Sequence, residues 1–286
     1  MTESKIKLGV FSVSMPDYEP MDALEVLAEL GYDGVEWRVT NDEGDRENPS
    51  FWSGNRTSMT AEEVVERADA LKTKASELGL EMPSLGTYIG CEDLQVVEGH
   101  MMAAKTLGAK SLRIGPGGYD KENGHYWDDI KKAKEQYAKV ADLAAEHGVR
   151  ALIETHMNLL CPSVSKTMRI LEGLDPKHVG IMWDPGNQVK EGLEVYSMAL
   201  DMAGEYLAEV HVKNMRYEKG ERERGQQQWS DHWCRIQDGI ANWPAIIDEL
   251  KKRGYEGWMM FEDFSTEVPL KDRLKNNVTW FRELLG

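Results

Sequence analysis

Three carboxylates and one imidazole follow short apolar runs in the second half of the chain, where each could reach a shared cation. They are Glu154 in ALIETH, Asp184 in GIMWDPGN, His211 in AEVHVKN and Glu262 in WMMFEDF. A buried run that ends in a charged side chain carries a desolvation penalty, and a bound cation offsets that penalty. The pattern therefore predicts a metal site.

Further polar side chains accompany these four. Residues two apart on a strand face the same way, so His156 should join Glu154 and Lys213 should join His211. Each has a structural alternative: His156 could serve only as a hydrogen-bonding group, and Lys213 could only neutralise carboxylates. Arg38 and Arg113 are expected at the same rim, unless Arg38 pairs with Glu36 and Arg113 pairs with one of the candidate ligands.

The elements that must position these residues repeat along the chain. Eight apolar runs typical of strands alternate with amphipathic stretches, of which residues 126–147 form the clearest predicted helix. The runs are KLGVFSV, GVEWR, EMPSLGTY, SLRIG, RALIETH, HVGIMWD, EVHVKN and GWMMFE. Eight alternations favour a closed parallel (β/α)8 TIM barrel over an open sheet. We therefore expect one domain over residues 1–286, closed by a helix over 272–285.

Composition narrows the class of partner. The net charge is -16 and the pI is about 5.0, which opposes binding to nucleic acid or to an anionic membrane surface. We therefore expect a small-molecule partner. The three cysteines show no CxxC spacing, and no apolar stretch approaches the ~18 residues of a membrane span. These features predict a reducing, cytoplasmic setting.

The ordered set of Glu, Asp, His and Glu on strands five to eight, with the phrases HVKN and DGIANWPAIIDEL, resembles the xylose isomerase-like sugar isomerase and epimerase superfamily. The resemblance spans nearly the whole chain. It implies that Glu154, Asp184, His211 and Glu262 bind one divalent cation. Relatives include ketose 3-epimerases, hydroxypyruvate isomerase, inosose dehydratase and metal-dependent apurinic endonucleases.

The chain departs from two of these branches. The endonuclease branch adds histidines for a multi-zinc site, but this chain has Gly115-Pro116-Gly117 and Asn187 at the matching places, which predicts a single-metal centre. Asn187 also stands where ketose 3-epimerases often use a histidine to contact substrate. Arg216, five residues after His211, lies near a substrate-binding arginine of those epimerases. Asn187 and Arg216 are therefore candidate substrate contacts.

The ligand set predicts the chemistry. Three carboxylates and one imidazole suit Mn²⁺ best, with Mg²⁺, Co²⁺ or Zn²⁺ as alternatives. A ketose or related polyol could chelate the ion, which would lower the cost of an enediolate. We expect Glu154 and Glu262 to act as acid and base, one removing a proton beside the carbonyl and the other returning it. Isomerase or epimerase activity is the first hypothesis; a dehydratase of an inosose-like keto polyol and a non-catalytic sugar-binding barrel are the alternatives.

Two long polar segments, 39–60 and 214–240, are expected on the catalytic face, where they could shape specificity, remain solvated insertions or pack against a second subunit of a homo-oligomer. The second contains GQQQWSDHW, which could fold back as a lid. One or two of five tryptophans could stack on a sugar ring: Trp37, Trp52, Trp183, Trp229 and Trp233.

Overall fold

A closed barrel of eight parallel strands forms the centre of the computed structural model, which describes residues 5–286. The barrel strands are β1 (Lys7–Phe11), β2 (Gly34–Val39), β3 (Ser84–Thr87), β4 (Ser111–Arg113), β5 (Arg150–Glu154), β6 (Val179–Trp183), β7 (Leu207–Val212) and β10 (Trp258–Phe261). All eight predicted runs form these strands, so the predicted TIM barrel is confirmed. Residues 1–4, which the predicted domain includes, lie outside the described residues.

The helices surround the barrel, and their positions follow from the apolar periodicity of the sequence. They are α1 (Pro20–Leu30), α2 (Ala61–Leu78), α3 (Leu94–Leu107), α4 (Tyr126–His147), α5 (Val164–Leu171), α6 (Pro185–Lys190), α7 (Tyr196–Ala203), α8 (Trp243–Lys252) and α9 (Leu270–Leu285). The helix predicted over 126–147 is confirmed, and the closing helix starts two residues earlier than predicted. Among helices in residues 5–286, none is both long and apolar enough to cross a membrane.

The large apolar core lies between the strands and the helices. On β2, for example, Val35, Trp37 and Val39 belong to this core, whereas the alternate residues Glu36 and Arg38 are buried polar side chains. Side chains alternate between the two faces of a strand, so Glu36 and Arg38 project toward the interior of the barrel. Because of this alternation, charged side chains lie in the interior of the barrel.

The segment 214–240 differs from the predicted polar loop because it contains a β-hairpin. Strands β8 (Met215–Glu223) and β9 (Gln226–Trp233) pair antiparallel. Arg224 and Gly225 connect them with φ values of 49° and 82°, as the tight turns of two-residue hairpins require. Most of both strands is solvent-exposed, so no apolar alternation marks them in the sequence.

The segment 40–60 follows β2 and contains turns and bends without helix or strand. Asp42 organises it, because its carboxylate accepts hydrogen bonds from the backbone N–H groups of Gly54 (2.8 Å) and Asn55 (3.1 Å). The Asn55 amide in turn donates to the carbonyl of Val13 at 2.9 Å. These bonds tie the segment to the mouth of the barrel.

We expect the Gly86→Ala substitution to destabilise the barrel. A Cβ at Gly86 would overlap the fully buried Phe11 ring, and overpacking of this kind typically costs ~1–3 kcal/mol. The matched control is Gly99→Ala, since Gly99 lies on the exposed face of α3 with open space around its Cα. That change should stabilise the helix by up to ~1 kcal/mol. Denaturant midpoints of the two variants check the pair; equal stability would contradict the proposed packing role of Gly86.

Candidate metal centre

The four predicted ligands converge inside the barrel at the carboxyl ends of β5, β6, β7 and β10. One ligand atom from each of Glu154, Asp184, His211 and Glu262 lies within 4.8 Å of the others, and all four side chains are buried. The carboxyl ends of barrel strands are where active sites of this architecture lie. The strands thus position three carboxylates and an imidazole around one point.

His211 is oriented by a carboxylate that sequence analysis did not assign. Its Nε2 lies 2.8 Å from Glu36 Oε2, and both side chains are fully buried. When Glu36 is ionised, its carboxylate only accepts hydrogen bonds, and Nε2 then carries the proton. The Nδ1 atom then faces Glu262 Oε2 at 3.6 Å and Glu154 Oε1 at 3.7 Å. No hydrogen-bond partner for Nδ1 lies among residues 5–286, as expected of a metal-ligating nitrogen.

Glu209 adds another buried carboxylate below this ring. Its Oε1 lies 3.6 Å from His211 Nε2, and Glu36, Glu209 and His211 form a second group of compatible ligand atoms. We interpret this trio as hydrogen-bonding support for His211, because its Nε2 already faces Glu36. Glu36 and Glu209 each interrupt an apolar run, which is the same signal that identified the strand-end ligands.

Two cations partly balance the carboxylates. Arg113 pairs with Glu154 and also donates to the Thr87 carbonyl at 2.8 Å. Lys213 pairs with Glu262 and lies 2.9 Å from Asp184 Oδ2. When all five buried carboxylates are ionised, they outnumber these two permanent cations, and a divalent ion would offset the negative excess.

Burial and charge compete in setting the pKa values of the carboxylates. Burial raises the pKa of Glu154, but the Arg113 guanidinium and the Lys213 ammonium outweigh it and hold the pKa well below its ordinary value. Burial likewise raises the pKa of Glu262, yet Lys213 lowers it overall. At Asp184 burial dominates and raises the pKa to about 7 despite Lys213. The two glutamates therefore carry charge at neutral pH.

Asn187 lies behind the ligands and connects two of them. Its amide nitrogen donates to Glu154 Oε1 and to Asp184 Oδ2, each at 3.0 Å. Asn187 is fully buried and is not among the residues that line the cavity. The structure therefore places it as a support for the carboxylates, which differs from the predicted substrate contact.

A cavity of about 520 Å³ opens above the cluster. Glu154 and Glu262 line its floor together with three of the predicted substrate residues, Arg113, His156 and Lys213. Its walls include the aromatic side chains of Trp52, Tyr88, Trp233 and Phe264. Trp52 and Trp233 are two of the five tryptophans that could stack on a sugar ring, whereas the sequence does not assign Tyr88 or Phe264 to substrate binding.

The other two predicted contacts are not among the residues that line this cavity. Arg38 pairs with Asp42 at 2.8 Å and donates to the Ser58 hydroxyl at 2.6 Å, so it holds the segment 40–60 and does not pair with Glu36. Arg216 is partly exposed on the hairpin and pairs with Glu218 at 3.0 Å.

Comparison with known proteins agrees with this architecture. A family model described as xylose isomerase-like TIM barrel matches residues 24–284. An inosose dehydratase from Geobacillus thermodenitrificans is 27% identical over 130 residues, which cover 43% of this chain and 43% of that protein. The match thus spans less than half the length of this relative.

Solved structures of low sequence identity share the fold. A 3-keto-D-glucoside 4-epimerase from E. coli in its apo form superposes with a TM-score of 0.73 at 16% identity, covering 97% of this chain and 99% of that one. A xylose isomerase-like TIM barrel protein from Mycobacterium smegmatis, in complex with magnesium, gives a TM-score of 0.70 at 16% identity, covering 99% and 97%.

We expect Glu36→Gln to weaken binding of a divalent cation by roughly 10- to 100-fold, as is typical when a carboxylate partner of a ligating histidine is removed. Glu209→Gln is the matched comparison, because Glu209 lies 3.6 Å from Nε2 and Glu36 lies 2.8 Å from it. Glu209→Gln should lose less affinity for the cation than Glu36→Gln does. Titration of each purified variant with Mn²⁺, followed by electron paramagnetic resonance, measures the affinities. Wild-type affinity in Glu36→Gln would contradict the positioning role.

Proposed function

The chain belongs to the xylose isomerase-like TIM barrel family, and on that premise we propose that it is a metal-dependent isomerase or epimerase of a ketose or related polyol. One observation carries the proposal. Glu154 and Glu262 line the floor of one cavity, come from different strands and bring their oxygens within 4.8 Å of each other. Two carboxylates placed in this way can remove a proton from a carbon on one side and return a proton from the other side.

Glu154, Asp184, His211 and Glu262 would hold the ion. The unpaired Nδ1 of His211 and the negative excess of the cluster fit a divalent cation. A majority of carboxylate ligands favours Mn²⁺ over ions that prefer nitrogen or sulfur, and Mg²⁺, Co²⁺ and Zn²⁺ remain alternatives. When bound, such an ion supplies Lewis-acid stabilisation of negative charge on a carbonyl oxygen.

The glutamates move the protons. One carboxylate removes the proton from the carbon beside the carbonyl, and the electron pair of the broken C–H bond shifts toward the oxygen to form an enediolate. The other glutamate returns a proton, either to the opposite face of the same carbon or to the neighbouring carbon. The first outcome is epimerisation; the second, with transfer of the hydroxyl proton to the former carbonyl oxygen, is isomerisation.

Arg113 and Lys213 place two positive charges in the floor of the cavity, close to the reacting atoms. Both line the cavity and both are buried, so their charges act in a region from which most water is excluded. Fixed cations of this type stabilise charge that develops on an oxygen during proton removal. They also keep Glu154 and Glu262 ionised, which a general base requires.

A dehydratase is the second candidate, supported by the relative named inosose dehydratase. It would use the same first step. The proton again passes from the carbon beside the carbonyl to a glutamate, but the C–O bond at the next carbon then breaks. The departing hydroxide takes a proton and leaves as water, so a double bond remains in the product.

We expect Glu154→Gln and Glu262→Gln each to reduce turnover by ~10²- to 10⁴-fold, the usual contribution of one general acid or base. The assay incubates Mn²⁺-loaded protein with a panel of ketoses and inososes in deuterated water and follows the products by NMR. Exchange beside the carbonyl without loss of water supports an isomerase or epimerase, and loss of water supports the dehydratase. Wild-type turnover in either variant would exclude the two-glutamate mechanism.

The matched control is Asp184→Asn, which removes a candidate ligand that has no proposed proton-transfer role. We expect excess Mn²⁺ to restore its turnover, whereas neither Gln variant should recover. If all three variants recover equally, the glutamates act only as ligands.

Removal of the metal provides an independent check. A chelator should abolish turnover, and Mn²⁺ should restore it, because the carboxylates alone cannot stabilise negative charge beside themselves. Elemental analysis of the purified protein before and after Mn²⁺ soaking accompanies the assay. A protein that binds no divalent ion after soaking, or that turns over fully without one, would refute the metal-dependent mechanism.

A further inference from the structure

We propose that the substrate is a keto polyol without a phosphate group that carries an apolar or aromatic substituent. The substituent would bind the aromatic collar, which we define as Trp52, Tyr88, Trp233 and Phe264. This inference rests on the proposed function, because the keto polyol end would lie against Glu154. It adds a substrate class that the acid-base chemistry does not determine.

The collar is built from separate parts of the chain, and three of its four rings pack together. Trp52 comes from the segment 40–60, Tyr88 follows β3, Trp233 ends β9 and Phe264 follows β10. The Trp52 and Phe264 ring centroids lie 4.8 Å apart, and those of Trp233 and Phe264 lie 5.5 Å apart. These separations fall within the range for packed aromatic rings.

Two of these rings leave much of their surface open. Trp52 is 52% exposed and Tyr88 is 46% exposed, although both line the cavity. Large apolar side chains exposed at the mouth of a polar site are typical of a ligand contact. Phe264, by contrast, is buried and forms the base on which Trp52 and Trp233 pack.

The collar lies directly next to the charged cluster. Lys213 Nζ lies 5.5 Å from the centroid of the Trp233 ring and 5.6 Å from that of Phe264. Arg113 Cζ lies 4.6 Å from the centroid of Tyr88. A ligand whose carbonyl reaches the carboxylates therefore has the rest of its surface against aromatic rings. The volume of about 520 Å³ falls within the ~300–1,000 Å³ typical of small-molecule sites.

The charges of the lining disfavour a phosphate group. Among the described lining residues, both permanent cations, Arg113 and Lys213, are already paired with carboxylates. His156 Nδ1 lies 2.7 Å from the Met157 carbonyl, so this nitrogen is already occupied. Glu92 adds a carboxylate to the wall. A phosphate needs free donors with positive charge, so an uncharged substituent fits this wall better.

The collar is held in place before a ligand arrives. Arg38 and Asp42 form a buried ion pair at 2.8 Å, and Arg38 also approaches the Trp52 carbonyl at 3.5 Å. The Asn55 amide donates to the Phe51 carbonyl at 3.2 Å, next to Trp52. A fixed aromatic surface loses little conformational entropy on binding, which favours affinity.

The experiment measures binding, so it does not depend on turnover. Isothermal titration calorimetry with Mn²⁺-loaded protein compares three ligands: the methyl glycoside, the phenyl glycoside and the methyl glycoside phosphate of one hexose that carries a ring ketone. We expect the phenyl compound to bind roughly three- to tenfold more tightly than the methyl compound, given the usual strength of one aromatic contact. The phosphate should bind more weakly than either.

Substitutions test whether the collar causes the preference for the phenyl compound. Trp52→Ala should remove the preference, so that the methyl and phenyl compounds bind with equal affinity, because the ring that contacts the phenyl group is lost. Trp52→Phe should retain most of the preference. Trp229→Ala is the matched control, since Trp229 is 58% exposed on β9 but does not line the cavity. It should behave as wild type.

Equal affinities for the methyl and phenyl compounds, a preference that survives Trp52→Ala, or tightest binding of the phosphate would each overturn the inference. Failure of the proposed function gives a different result. Suppose that no ligand exchanges a proton in deuterated water but the phenyl preference depends on Trp52. The role of the collar in binding is then supported, and the isomerase or epimerase mechanism is refuted.

Discussion

The burial of five carboxylates at the centre of a barrel is the constraint on which this structure depends. Ionised carboxylates lose the solvation of water when they are buried, and the loss is large unless each has a compensating partner. Lys213 and Arg113 supply part of that compensation, and Glu36 is held by His211. The positions of Asn187 and of the unpaired His211 nitrogen follow from the same requirement. The site therefore concentrates charged groups in a buried part of the molecule.

Much of the fold could be predicted because its physical signals are local. The strands of a TIM barrel are apolar runs, and the helices between them show one apolar face, so both periodicities are visible in the sequence. Glu154 and Glu262 are identifiable in the sequence because a charged side chain at the end of a buried apolar run carries a desolvation penalty. Glu36 carries the same signal inside its run, but only the closed barrel shows that it faces His211 across the interior.

The walls of the cavity could not be predicted in the same way. Trp52 and Trp233 are far apart in the sequence and come together with Phe264 only because three separate connections end at one rim. Arg38 and Arg216 are reasonable candidates by position, yet Arg38 holds a loop and Arg216 pairs with Glu218 on a solvent-exposed strand. Long connections follow tertiary contacts that no local periodicity encodes.

The hairpin of β8 and β9 has a consequence for motion. Both of its faces are largely exposed beyond Met215, and a two-stranded ribbon without a third strand or helix is only marginally stable. Its base is anchored by buried Met215, by the Tyr217 hydroxyl on the Val189 carbonyl and by Lys190 on Asp231. The ribbon is thus a local folding unit whose tip can fray while the base remains docked. Its amide hydrogens should exchange with solvent in order from the turn at Arg224 toward the barrel.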